Sequence, residues 1–150
     1  MERLNIAVQP VAADEIDACA AVYAAAYGEA PWNEALDPGQ VKGYIRAFTG
    51  RDGFCAWRLS VGGEIAGVAL GVVVPCVDAP FLRVEDFCVA PKVQRRGFGG
   101  AFLAEIQRQA AKLGCDAMLL ATQPDVPARR FYLEQGFREI PTACMYKDKL

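Results

Sequence analysis

The sequence predicts an α/β (α+β layered) domain built on a mixed sheet, in the order β-α-α-β-β-β-α-β-α-β-β. Three observations carry this. Short alternating or buried apolar runs, bounded by Gly and Pro, are interleaved with segments of helical period. The 150 residues suit one domain with a core of its own. Hydrophobic residues make up 53% and charged residues 23%, the balance of a globular chain rather than a disordered one. No internal repeat or low-complexity linker divides the chain, so residues 1–150 are read as a single domain.

The elements follow in order. Arg3 to Gln9 alternates as a first strand, which Pro10 ends. Asp14 to Tyr27 carries Ile16, Ala20, Tyr23 and Tyr27 at helical spacing. After a loop through Trp32, a second helix runs from Pro38, a first-turn residue, to Phe48. Phe54 to Val61 and Glu64 to Val74 are strands joined by the tight turn Gly62-Gly63. Phe81 to Val89 is another strand, ended by Ala90-Pro91. Gly97 to Leu113 puts Phe102, Ile106, Ala110 and Leu113 on one helical face, and Gly114 stops it. Ala117 to Ala121 is a short buried strand. Pro127 to Gln135 is a short helix capped by Gly136. Phe137 to Ile140 and Ala143 to Lys147 are expected as two last strands.

The absences narrow the chemistry. The chain has no histidine, which removes His-based acid–base catalysis, His-activated nucleophiles and His metal ligands. Any base is then a carboxylate or water, and any acid a Tyr, Cys, Lys or carboxylic acid. The six cysteines form no C-x-x-C pair and all sit in apolar contexts, so they are expected to pack as small hydrophobes, with no metal. Free buried thiols imply a reducing, cytoplasmic setting. No signal peptide or membrane span is expected. A net charge of −2 gives no reason to expect a nucleic-acid or membrane partner.

The chemistry concentrates between Val84 and Gly100. There a buried strand enters a loop holding Gly97, Gly99 and Gly100, which opens a helix. Glycines allow a backbone to approach a ligand, and a helix N-terminus is an anion site. Lys92, Arg95, Arg96, Arg108 and Lys112 surround it against the single acid Glu105. The loop fits neither a P-loop, which needs Lys and Ser/Thr after its glycines, nor a G-x-G-x-x-G dinucleotide loop.

Gln94-Arg95-Arg96-Gly97-Phe98-Gly99 resembles the [QR]-x-x-G-x-[GA] loop of the GNAT superfamily of N-acetyltransferases. A second stretch, Asp125 to Phe137, resembles that family's N-x-x-A-x-x-x-Y-x-x-x-G-F, with Asp125 standing where the family has Asn. The resemblance covers nearly the whole chain. It implies a mixed, mostly antiparallel central sheet flanked by helices, and acetyl-CoA as co-substrate. The pyrophosphate would sit on Gln94, Arg95, Arg96, Gly97, Phe98, Gly99 and Gly100. The pantetheine arm would pair with Phe87, Cys88 and Val89, and Asp125 and Tyr132 would complete the cofactor contacts.

Roles follow from the same resemblance. Tyr132 is the candidate general acid for the departing thiolate. Glu85 is the candidate base, directly or through water, because Val84-Glu85-Asp86-Phe87 resembles the L-E-D-F segment of spermidine/spermine acetyltransferases. Strand alternation places Glu85 on one face with Phe87 and Val89, and Asp86, the second choice, on the other. Cys88 lies near the expected thioester, but direct transfer in a ternary complex needs no nucleophile. The acceptor is expected to border the loop after the first helix, at Tyr27, Trp32 and Glu34. Residues 1–50 hold seven acids against three bases, which suits a small cationic amine. The alternatives are a protein lysine or N-terminal acetyltransferase, a CoA-binding regulatory module without turnover, and a nucleotide-binding protein reusing the loop. The oligomeric state stays open, a homodimer being one option.

Overall fold

A computed structural model describes residues 5–149. Arg3 and Leu4 of the first expected strand lie outside them. The elements are β1 (Ile6–Pro10), α1 (Ile16–Gly28), α2 (Pro38–Ala47), β2 (Phe54–Val61), β3 (Glu64–Val74), β4 (Phe81–Val89), α3 (Phe98–Lys112), β5 (Met118–Leu119) and α4 (Pro127–Glu134). A short 3₁₀ turn, Ala13–Glu15, leads into α1, and another, Pro91–Val93, follows β4. Local chemistry sets the helix ends. The Asp37 side chain accepts from the Gly39 N–H at 3.0 Å, one residue before Pro38 opens α2. Gly136, at φ +91°, stops α4.

The five strands lie in the order β1-β2-β3-β4-β5. The first four are antiparallel, and β5 runs parallel to β4. Each face of the sheet buries its own core. On one face Trp57, Leu59, Leu82, Val84 and Val89 pack with Phe102 and Ile106 of α3. On the other, Val68, Leu70 and Cys88 pack with Ile16, Cys19 and Ala20 of α1 and Val41 and Ile45 of α2. α2 and α3 each turn an apolar stripe to the sheet, and the alanine-rich α1 packs beside α2 on its face, giving a two-sided layered domain. Among the described residues no helix is long and apolar enough to cross a membrane.

Three expectations are corrected. The last two strands, over 137–140 and 143–147, do not form: the described residues after Gly136 carry no strand. Ile140, Met145 and Tyr146 are exposed, so their alternation has no face to bury. Pro141 has no N–H for a ladder, and the Thr142 N–H turns back onto the Ile140 carbonyl at 2.9 Å. The strand expected over Ala117 to Ala121 shrinks to Met118–Leu119. Of the cysteines, Cys19 and Cys88 are buried and Cys55 and Cys115 half-buried, but Cys76 and Cys144 are exposed. A loop and a strandless tail give those two nothing to pack against.

Candidate active site

The strand-to-helix junction is built as an anion cradle. Gly97 caps α3 at φ +83°, a left-handed conformation that other residues adopt only under strain. No side chain caps that end, so the first N–H groups of α3 remain free donors at the positive end of the helix dipole. The Gln94 side-chain amide donates to the Val89 carbonyl at 2.9 Å and ties the loop to the end of β4. A Cβ on Gly99 would lie 3.6 Å from Phe131, and one on Gly100 3.2 Å from the Gln135 amide. The first is an ordinary contact, whereas the second is tight, so Gly100 eases the approach of the end of α4 to α3.

The expected five-cation cluster is smaller in space. Lys92 pairs with Glu64 at 3.1 Å, and Arg108 with Glu105 at 3.0 Å. Lys112 sits at the other end of α3, roughly 20 Å along the helix axis. There it lines a cleft of about 440 Å³ with Phe48, Phe54 and Trp57. Arg95 and Arg96 are left exposed at the cradle, with the Arg96 guanidinium 5.1 Å from the centre of the Phe98 ring.

Beside the cradle the sheet offers an open strand edge. β4 and β5 pair only through Leu82 with Met118 and Arg83 with Leu119. From Val84 to Val89, no strand among the described residues pairs with β4 on that side. An extended ligand bearing amides can add to such an edge. One wall is aromatic: Phe87 stacks between Phe102 at 5.1 Å and Phe131 at 5.9 Å, with Tyr132 at 6.3 Å. Burial pushes the Tyr132 phenol up to about 12, with Cys88 and Asp86 adding to the shift. Cys88 itself is pushed up to about 12 by burial, so it stays a neutral thiol.

The floor of the site comes from an irregularity in β4. Leu70 pairs with Asp86 and Gly71 with Val84, which leaves Glu85 as an extra residue, a β-bulge. Leu82 and Val84 face the α3 core before it, and Phe87 and Val89 face the same core after it. The expected alternation therefore fails. Glu85 does not share a face with Phe87 and Val89. It joins Asp86 on the face of α1 and α2, because the bulge inserts one residue between two stretches of regular pleat. Glu85 lies at the rim, paired with Arg83. Asp86 is half-buried beneath three phenols. Tyr23 and Tyr27 donate to its Oδ1 at 3.0 and 3.3 Å, and Tyr44 donates to its Oδ2 at 2.5 Å. Burial raises the Asp86 pKa in spite of these three bonds, which act to lower it.

Of the expected acceptor residues, the structure joins two. Trp32 packs 5.9 Å from Tyr27, whose hydroxyl reaches Asp86. Glu34 donates its backbone N–H to the Tyr27 carbonyl at 2.8 Å, and its side chain is exposed. Asp125 is exposed just before α4. Sequence reasoning missed Tyr23 and Tyr44 as functional residues and ranked Asp86 second. A signal existed. Tyr23 and Tyr27 stand four apart on the apolar face of one helix, and buried tyrosine hydroxyls need a partner. Among the described residues no three His, Cys, Asp or Glu side chains gather as a metal site.

Comparison with known proteins agrees with this geometry. Residues 16–137 match the acetyltransferase (GNAT) family model. No curated protein matches the chain in sequence. Solved structures share the fold at low identity. A possible acetyltransferase from Clostridium difficile 630 superposes with a TM-score of 0.82 at 15% identity, over 99% of each chain. AAC(6')-Iy, in complex with the bisubstrate analogue CoA-S-monomethyl-acetylneamine, gives 0.79 at 16% identity, over 97% of this chain and 99% of that one. The aminoglycoside acetyltransferase meta-AAC0020, from an uncultured soil metagenomic sample, gives 0.73 at 14%, over 96% and 97%.

Proposed function

The chain belongs to the GNAT acetyltransferase family, and on that premise we propose that it moves an acetyl group from acetyl-CoA to a primary amine of a small cationic molecule. Transfer is direct, in a ternary complex. One observation carries the reading. The Tyr132 phenol lies near enough to Asp86 to feel its charge, beside an edge of β4 that leads to the free N–H groups of α3.

Acetyl-CoA fits the residues present. Its pyrophosphate suits the uncapped α3 N-terminus with Gln94, Arg95, Arg96 and Gly97. Phe98, Gly99 and Gly100 lend backbone N–H groups, and the edge through Phe87, Cys88 and Val89 suits its amide-bearing arm. The co-substrate supplies an activated acyl thioester. Tyr132 holds a proton at Oη at every physiological pH and presents it to the leaving group. The acceptor amine arrives as an ammonium and must lose a proton before it can attack. The bulge offers Glu85 at the rim, through water, with Asp86 below. Tyr27, Trp32 and Glu34 border the acceptor, and the acidic, aromatic setting favours a cation. A Cys88 thiol held protonated by burial is a poor nucleophile, which supports direct transfer over a covalent acyl-enzyme.

The test is thermal unfolding with acetyl-CoA, CoA, ATP and NAD in separate wells. A ligand at about 100-fold its Kd stabilises by roughly 2.7 kcal/mol. A shift with acetyl-CoA and CoA alone supports the reading. A shift with ATP or NAD instead overturns it. Initial-rate patterns with an amine acceptor then separate direct transfer from ping-pong kinetics.

A further inference from the structure

A carboxylate carries about four acceptor positions, two on each oxygen. At Asp86 three are taken. Tyr23 and Tyr27 fill Oδ1, and Tyr44 fills one position on Oδ2. The fourth, on Oδ2, has no partner among the described residues. The other ionisable groups that bear on this carboxylate are Glu85 and Cys88 of β4 and Tyr132 of α4. None of these, nor any of the three phenols, is a cation. Among the described residues no Lys or Arg forms an ion pair with Asp86, whereas Glu85 is neutralised by Arg83. A partly desolvated carboxylate with only neutral donors is an incomplete ion pair.

The surroundings define what would complete it. Tyr23 packs against Tyr27 at 4.6 Å and against Tyr44 at 6.0 Å, and Tyr27 against Trp32 at 5.9 Å. These rings form an aromatic collar around a negative centre. Tyr44 is 39% exposed and marks the mouth. A ring face attracts a cation, and a compact N–H donor can reach one carboxylate lone pair. A guanidinium, which seeks two oxygens at once, finds only one free position.

Resting on the amine-acceptor reading and deepening it, we propose that Asp86 is the specificity-determining residue that receives the acceptor's ammonium group. Tyr23, Tyr27 and Tyr44 act as positioning residues, holding the carboxylate so that one lone pair faces the mouth. The substrate class is then a primary aliphatic ammonium, with neutral isosteres rejected. Glu85 serves the rim and does not bind the cation.

The test reads binding without turnover. Unfolding midpoints are measured with 1,4-diaminobutane and glucosamine, and with their hydroxyl counterparts 1,4-butanediol and glucose. Wild type, Asp86→Asn, Glu85→Gln and Tyr44→Phe are compared. At least one amine should stabilise the wild type and its hydroxyl counterpart should not. Asp86→Asn should weaken that amine's binding by about 10- to 100-fold, the range of one hydrogen bond to a charged group. Glu85→Gln should keep the shift, and Tyr44→Phe, altered at a half-exposed ring, should reduce it. An equal shift in Asp86→Asn overturns the proposal, as does a shift lost only in Glu85→Gln. So does the absence of any amine-specific shift in the wild type. Acetyl-CoA is run beside them on the same protein. If acetyl-CoA stabilises and the amine pattern fails, the Asp86 assignment falls alone. If acetyl-CoA also fails, the acetyltransferase reading falls with it.

Discussion

Tyr132→Phe removes one oxygen and leaves the ring in its place against Phe87, Phe131 and Phe137. The size of the loss depends on what the hydroxyl can do. Burial holds the phenol at about 12, whereas an ordinary thiol titrates near 8.5. Handing the proton fully to a thiolate would therefore be uphill by roughly 5 kcal/mol. On the proposed reading, Tyr132 would then act as a hydrogen-bond donor to developing charge rather than as a completed proton giver. A hydrogen bond to a charged partner is worth about 1.5–3 kcal/mol. That converts to a fall in kcat of about 10- to 150-fold, well short of the ~10⁴ upper range for acid–base catalysis. The assay is release of free CoA at saturating acetyl-CoA and amine, with acetyl-CoA affinity measured separately by calorimetry. The ratio of wild type to variant should stay flat from pH 6 to pH 10, because the phenol keeps its proton throughout. A kcat within about twofold of wild type would refute the role. So would a fall explained by weaker acetyl-CoA binding, or a ratio that collapses near pH 9.

Three further outcomes are expected. Asp86 has a folded pKa above its free value, so the native state binds its proton more readily than the unfolded chain does. Its contribution to stability is therefore lost as pH rises through the folded pKa. Asp86→Asn should gain in melting temperature relative to wild type between pH 4 and pH 7; a wild-type advantage that grows with pH would contradict this. Gly67→Ala places a Cβ 3.0 Å from Leu59 Cβ and 3.2 Å from both the Cys88 carbonyl and Phe102, inside a packed core. Urea unfolding should record a loss of about 1–3 kcal/mol, and a neutral result would mean that the sheet relaxes there. Arg95→Ala combined with Arg96→Ala should weaken CoA binding by about 10- to 100-fold and flatten its salt dependence. Titration calorimetry at two ionic strengths checks this, and unchanged affinity would move the phosphate site elsewhere.

Much of the fold was legible because local rules and burial agree. Gly62-Gly63 closes the β2–β3 hairpin where turn chemistry places it, and Phe81 to Val89 forms β4 with its expected bounds. The tail misled because its alternation is real but unsupported by any face to cover. The site was harder. Gly97 and Tyr132 stand out by spacing. The bulge does not, since no Gly or Pro marks Glu85. The trace it leaves is a skipped step: Leu82, Val84, Phe87 and Val89 share one core, with a gap of three between the middle pair. Opposite the bulge, Gly71 has no room for a Cβ, with the Arg83 carbonyl and Leu82 each 3.0 Å away. The role of Tyr44 is set by how α2 lies over the sheet, which periodicity along one helix does not encode.

That one extra residue decides which chemistry β4 can present. In a regular strand that begins with Leu82 and Val84 on the α3 face, Asp86 and Cys88 would share that face, and Phe87 and Val89 would turn toward α1 and α2. The carboxylate would be driven into the core around Phe102, and Phe87 would leave the aromatic wall beside Tyr132. Inserting Glu85 reverses both assignments at once. Phe87 stays in the stack with Phe102 and Phe131, while Asp86 meets the hydroxyls of α1 and α2. Burying Asp86 works against stability near neutral pH, and the three phenols offset only part of that penalty. A strand selected for stability alone would place an apolar residue there. Keeping a carboxylate under three donors, with one lone pair left open, is consistent with a binding group held ready for a cation.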